Sequence, residues 1–377
     1  MRVLLAGASG AIGHYLVPML IEAKHQVIGI TRRPGSLAGT GAEEIVADAL
    51  DRQGLLTALA GVKADAVVHQ LTALAKPPTS YASMRETNRL RSEGTSTLIA
   101  AARLIGAKKF VAASFFGGYG FGDLGRAPLT ESAPFGEADH RNDAVLLALL
   151  TLEQQVRAFG GVSLRYGLFY DSTTTSVSPV SRTWNGLVPM VHHKDAARAV
   201  VLALAKYKAG SVYNIADDHP MTYRDREVAR AEAAHLRPPR QLSDGMLRLG
   251  APFGSMLLTR TSMVLDSSRA RAELKWTPEF PSLLEALGRP RPVVVEELAA
   301  PAEPVVVSVE TVEEPVEAAV EPEHSVVIAE PEVSAKPEAS AESEQTEESE
   351  DAVDDSDSAG DPFAKVTAAI ARIGSRK

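Results

Sequence analysis

The chain of 377 residues contains no cysteine. That excludes a disulfide scaffold, thiolate catalysis, cysteine-ligated zinc and iron–sulfur clusters. It also lacks any run of about 18 apolar residues, the length a membrane-spanning helix requires. Its opening, MRVLLAGASG, turns to small residues too early for the apolar core of a secretory signal. No membrane span is therefore expected, and a cytoplasmic protein is the default. Aromatic residues make up only 5% of the chain, and none occurs between 292 and 362. That stretch cannot bury enough apolar surface to offset its chain entropy, so an extended, disordered segment is expected there.

Charge divides the chain more sharply than its net value of -9 suggests. Residues 292–362 hold 22 acids against Lys336 alone, whereas the last fifteen residues carry four basic residues and no acid. Residues 1–291 are mildly basic, with 34 basic and 26 acidic residues. In the last stretch Phe363, Val366, Ile370 and Ile373 recur at helical spacing among Lys365, Arg372, Arg376 and Lys377. Four segments follow: a nucleotide-binding domain over 1–170, a small substrate-binding portion over 171–291, an acidic linker over 292–362, and a short basic amphipathic helix over 363–377. A protein partner for the tail and a homodimer are both left open. The basic residues of the body are dispersed, so no nucleic-acid interface is expected.

What is present is a regular alternation. Short apolar runs at 2–6, 26–30, 44–46, 66–68, 110–114, 162–166 and 211–215 read as strands. Helical patterns occupy 12–23, 55–59, 87–105, 144–159 and 195–205, with Asp195 near an N-cap. Two further helices are expected at 224–235 and 282–287. Such alternation means βαβ units. The fold class is α/β, a Rossmann-type doubly wound parallel sheet.

Between the first strand and the first helix stands Gly7-x-x-Gly10-x-x-Gly13. Glycines at this spacing allow a tight turn and let a pyrophosphate approach the backbone at a helix N-terminus. Ser9, Ala11 and Ile12 complete the loop. An acid that holds the adenosine ribose of NAD normally follows about 20 residues later, at the end of the second strand. That place holds Thr31, Arg32 and Arg33, and a guanidinium pairs with a 2′-phosphate. The reading is NADP, with NAD as the open alternative and both arginines facing solvent as the bland one. No metal site is apparent, since His192 and His193 are adjacent and no HExxH pattern accompanies them.

GASGAIG (7–13), VVHQLTAL (67–74), TNRLRSEGTSTLIAAA (87–102), KKFVAASF (108–115) and LTE (129–131) occur in order. LRYGLFY (164–170), MVHHKDAARAV (190–200), VYNIADDHP (212–220) and ELKWTPEFPS (273–282) follow. With Asp48 they resemble an extended short-chain dehydrogenase/reductase of the NAD-dependent epimerase/dehydratase superfamily. The resemblance implies that Asp48 and Ala49 lie beside the adenine and that the backbone of Gln70, Leu71 and Thr72 lines the cofactor. It implies that Asn88 supports the turn after the fourth strand and that Ser114 faces the nicotinamide. Tyr166 is included among the cofactor-binding residues.

One departure is decisive. The superfamily's Tyr-x-x-x-Lys pair, in which lysine tunes a tyrosine acid/base, falls on Val145 and Leu149 when the helix is anchored on Glu153. The loop after Ser114 is also one residue longer than usual, moving its tyrosine to Tyr119. Tyr119 is the leading substitute acid, with a packing or hydrogen-bonding role as the alternative. His140, Asp143, His192 and His193 are weaker substitutes. The expected activity is an oxidoreductase or epimerase-like reaction on a small carbonyl or nucleotide-sugar-type substrate. The competing reading is an NADP-binding sensor or scaffold that has lost turnover.

Overall fold

In the computed structural model, residues 1–74, 77–136, 143–173 and 176–289 are described. The expected acidic linker, the terminal amphipathic helix and His140 lie outside the described residues.

The first half alternates as its pattern predicts. Strands β1 (Arg2–Ala6), β2 (Gln26–Thr31) and β3 (Glu43–Val46) are joined by α1 (Ala11–Glu22) and a loop; α2 (Arg52–Ala58) leads to β4 (Ala66–His69). The single helix expected over 87–105 is three pieces: α3 (Arg85–Arg89), a π-turn at Leu90–Gly94, and α4 (Thr95–Ile105). The Ser92 carbonyl in this turn also accepts from Gln155 Nε2 at 3.2 Å, a contact no hydrophobic period reports. Next come β5 (Lys109–Phe115), β6 (Asp123–Leu129), α5 (Asp143–Phe159) and β7 (Val162–Tyr166).

Short strands β8 (Leu168–Tyr170), β9 (Val180–Ser181), β10 (Leu187–Val188) and β11 (Met190–His192) lead to α6 (His193–Ala205) and β12 (Val212–Ile215). The remainder is β13 (Met221–Thr222), α7 (Tyr223–Ala233), β14 (Gln241–Leu242), α8 (Asp244–Gly250), α9 (Gly254–Thr259), β15 (Ser262–Leu265) and α10 (Leu283–Ala286).

Seven parallel strands form the main sheet in the order β12-β7-β5-β4-β1-β2-β3. The order reverses between β1 and β4, the switch point where doubly wound sheets bind ligands beyond their strand ends. Both faces are covered, which is why the strands are continuously apolar. Leu16, Leu20, Ala199 and Val200 of α1 and α6 pack on one face; Leu55, Leu98, Ala102 and Leu152 of α2, α4 and α5 pack on the other.

The C-terminal portion is tied back by small strand pairs. β8 pairs with β11, β14 with β9, β13 with β10 and β15 with β6. Residues 123–129, on the N-terminal side of the boundary expected at 170, thus pair with 262–265. Family-like motifs far apart in sequence meet here. Asn214 is fully buried; its Nδ2 donates to the carbonyls of Leu129 and Asp266, and its Oδ1 accepts from the Tyr119 hydroxyl. Asp195 is not an N-cap: α6 begins at His193, capped by His192 Nδ1. The buried Asp195 carboxylate instead accepts from the backbone N–H groups of Glu279 and Phe280 at 2.7 and 2.9 Å. Among the described residues, no helix is long and apolar enough to cross a membrane.

Replacing Asn214 with alanine removes three hydrogen bonds, although the Tyr119 hydroxyl keeps the Thr130 carbonyl and the Leu129 carbonyl keeps the Asp266 N–H. At about 0.5–1.5 kcal/mol for each bond lost, the expected loss is on the order of 2–4 kcal/mol. Thermal denaturation should show it as a Tm lowered by several degrees.

Candidate active site

The loop between β1 and α1 is built for close approach. Gly7 has φ +96°, and a Cβ there would stand 2.8 Å from the Gln70 carbonyl oxygen. At Gly13 a Cβ would lie 2.2 Å from the carbonyl oxygen of Ala8 and 2.4 Å from that of Gly7. Glycine is therefore required for α1 to pass so close to the loop. Gly10 is the N-cap and no side chain caps the helix, while Ser9, Gly10 and Ala11 are exposed and Ile12 is buried beneath them. Open N–H groups at the positive end of a 12-residue helix form a cradle for a phosphate anion. The residues present fit a dinucleotide.

The other cofactor candidates are distributed around the strand ends. Gln70 continues β4 by donating its N–H to the Ala6 carbonyl, and Leu71 N–H donates to His69 Nδ1. Burial lowers the His69 imidazole to about 4, so it is neutral. Thr72 is exposed. The following loop is held by Thr87, whose Oγ1 accepts from Ala73 N–H at 3.1 Å, and the neighbouring Asn88 has its Oδ1 buried without a hydrogen-bond partner. Asp48 folds its own turn by accepting from Leu50 N–H, beside buried Ala49. Thr31 is buried, with its hydroxyl 3.0 Å from Glu44 Oε1, whereas Arg32 and Arg33 are exposed. Tyr166 is fully buried on the face that packs α1 and α6, its hydroxyl directed to the Ala196 carbonyl.

At the end of β5, Ser114 and Phe115 both meet α5, at different turns of the helix. Ser114 is buried and its hydroxyl donates to Glu153 Oε1 at 2.6 Å. The same carboxylate accepts two N–H groups of Arg165, at 2.8 and 2.7 Å, with both side chains nearly excluded from solvent. Burial alone would make the Arg165 guanidinium less basic, but the Glu153 charge and hydrogen bonds outweigh it and raise its pKa. A carboxylate paired in this way only accepts, so the Ser114 proton is committed to it. The Arg165 guanidinium also lies over the Tyr119 and Phe135 rings, 4.7 and 4.8 Å from their centroids.

Phe115, the next residue, packs elsewhere. It joins Val145 and Leu149 of α5 in an apolar cluster with Phe121, Phe253 and Met256. Val145 and Leu149, the positions expected from the resemblance to correspond to the tyrosine and lysine, are 2% and 0% exposed. Two members of the cluster come from the C-terminal portion: Phe253, just before α9, and Met256 within it; Phe253 N–H donates to the Thr79 carbonyl. Composition and spacing gave no sign of this closure, because neither residue belongs to a recognisable motif.

Tyr119, His192 and His193 are otherwise engaged. Tyr119 donates to Asn214 Oδ1 at 2.8 Å, its hydroxyl also lies near the Thr130 carbonyl, and burial raises its pKa. That is a hydrogen-bonding role in the joint between β12 and the β6 segment. His192 caps α6, and His193 stacks on Phe169 with a ring separation of 5.3 Å. Burial lowers both imidazole pKa values. Among the described residues no group of three or more His, Asp or Glu side chains could hold a metal ion.

Comparison with known proteins fits this geometry. Residues 3–167 match the model of the NAD dependent epimerase/dehydratase family. A 3-diazoavenalumate denitrifying reductase from a Streptomyces species is 34% identical over 311 residues, covering 77% of this chain and all of the relative. The chain belongs to the NAD-dependent epimerase/dehydratase family. Its function is accordingly of the nicotinamide-dependent oxidoreductase or epimerase type. Among solved structures, the Thermotoga maritima UDP-glucose 4-epimerase superposes with a TM-score of 0.61 at 20% identity, covering 76% of this chain and 96% of that one. The dTDP-glucose 4,6-dehydratase of Streptomyces venezuelae gives 0.61 at 21% identity, covering 76% and 94%. At these identities the likeness is one of fold.

If Ser114 is a partner of Glu153 and not a proton donor to substrate, Ser114→Ala should lower kcat by less than about tenfold, against the 10²–10⁴ expected for loss of an acid/base group. Glu153→Ala should instead destabilise the protein by about 3–5 kcal/mol, because it strands a buried guanidinium. Steady-state kinetics and thermal denaturation separate the two.

Proposed function

We propose that the protein is an NADPH-dependent reductase whose substrate accepts hydride without needing a proton from the protein, and that the substrate is a diazo compound reacting as an arenediazonium cation. The observation that carries this reading is the apolar cluster of Phe115, Val145 and Leu149 where family members place proton-handling side chains. Bound dihydronicotinamide supplies a hydride. A carbonyl that takes up hydride also needs a proton to become an alcohol, and epimerisation of a nucleotide sugar needs a base. An arenediazonium cation needs neither: hydride and cation give arene and dinitrogen, so charge and atoms balance with no proton exchanged. The relative described as a denitrifying reductase of a diazo compound supports the same class.

The chain's own residues then have three tasks. The glycine loop and the α1 N-terminus bind the pyrophosphate. Arg32 and Arg33 favour the 2′-phosphate of NADP. Phe115, Val145, Leu149, Phe253 and Met256 exclude water from the reacting centre, which protects an electrophile that water would otherwise consume.

A second reading, an NADP-binding sensor or scaffold without turnover, draws on the same absence of an acid/base. One experiment separates them. The protein should oxidise NADPH with simple arenediazonium salts above the enzyme-free rate, releasing dinitrogen, and should leave a panel of aldehydes, ketones and nucleotide sugars unreduced. Carbonyl reduction as the faster reaction contradicts the proposal; tight NADPH binding with no turnover on either panel supports the sensor.

A further inference from the structure

The sequence places no acid at the end of β2, yet the fold brings two there. Glu44, on β3, holds the loop after β2: its carboxylate accepts from Gly35 N–H at 2.6 Å and Leu37 N–H at 3.2 Å, and lies 3.0 Å from the Thr31 hydroxyl. Those backbone contacts, Gly35 first, hold its pKa below the ordinary value, and they leave it tied to the loop. Glu86 is different. It lies in the first turn of α3, and its Oε1 accepts from Arg32 Nη1 at 3.0 Å across 54 residues of chain, with both side chains at least half exposed. One turn further, Arg89 donates bidentately to Glu93. Its guanidinium is made more basic chiefly by Glu93, with Glu86 and Asp48 contributing. Arg32, Asp48, Glu86 and Arg89 therefore gather at one edge, from three separate segments.

We propose that Glu86 sets the dinucleotide preference. In the free protein it neutralises Arg32, so a 2′-phosphate must displace it; with NAD(H), its carboxylate accepts from the ribose 2′-hydroxyl that takes the phosphate's place. The acid that discriminates the two cofactors comes from α3 and not from the end of β2. This rests on the nicotinamide reading above.

The test is direct binding, independent of turnover: dissociation constants of NADPH and NADH for wild type, Glu86→Gln, Arg32→Ala and the double variant. All of these changes are at exposed positions and leave the core untouched. An exposed ion pair shifts an equilibrium by at most about fivefold. Glu86→Gln should therefore tighten NADPH by about two- to fivefold and weaken NADH, and it should still weaken NADH in the Arg32→Ala background. An unchanged NADH/NADPH ratio in Glu86→Gln, or one moved toward NADH, overturns the proposal while the nicotinamide reading stands. If wild type binds neither dinucleotide, the nicotinamide reading falls and this one with it.

Discussion

The Glu153 carboxylate, buried between α5, β5 and β7, determines which polar groups remain for chemistry. It binds Arg165 through two hydrogen bonds and takes the proton of Ser114. Arg165 in turn stacks under Tyr119 and Phe135. A buried ion pair is weak evidence for net stability, since desolvation opposes its Coulombic gain. Its effect here is on hydrogen bonding: Ser114 is bonded to Glu153 while Phe115, the next residue, packs with Val145 and Leu149 one to two turns earlier on α5. Ser114 and Tyr119 both have hydrogen-bond partners within the fold.

On the proposed reading, what remains at the reacting centre is hydrocarbon and aromatic surface. Hydride transfer tolerates this, because it requires placement and a sufficiently electron-poor acceptor; proton transfer does not. A site of this kind selects its substrate by what the substrate can do unaided. An acceptor carrying its own positive charge and a departing dinitrogen meets that condition, whereas a sugar hydroxyl or ketone depends on an acid or base. Phe253 and Met256, which lie outside the segment that matches the family model, join this cluster from the C-terminal portion.

Much of the fold was legible because it rests on local pattern. Apolar runs between helical stretches and glycines at 7, 10 and 13 are local signals, and the seven-stranded sheet follows from them. The assignment of the family's tyrosine and lysine positions to Val145 and Leu149 rests on anchoring the helix on Glu153; what the fold adds is that both side chains are buried. Other features depended on long-range contacts that no spacing encodes. The Ser92 carbonyl in the π-turn meets Gln155, the Asp195 carboxylate reaches the backbone of residues 279 and 280, and Thr87 holds the backbone of Ala73. The acid near Arg32 was invisible because it arrives from 54 residues away. The motifs that resemble the family proved partly architectural: LTE, VYNIADDHP and Tyr119 meet at one hydrogen-bonded joint.

The claim on which the account turns is that hydride transfer proceeds without a proton from the protein. Its most direct measure is a pair of isotope effects on kcat/KM with an arenediazonium substrate, using NADPH deuterated at the transferable position of C4 and, separately, deuterated solvent. The account predicts a clear primary effect from the labelled cofactor, a solvent effect close to unity, and a rate that does not follow the ionisation of any protein group near neutrality. A large solvent effect, together with a rate that falls as one group titrates, would reveal a proton donor in the site and contradict it.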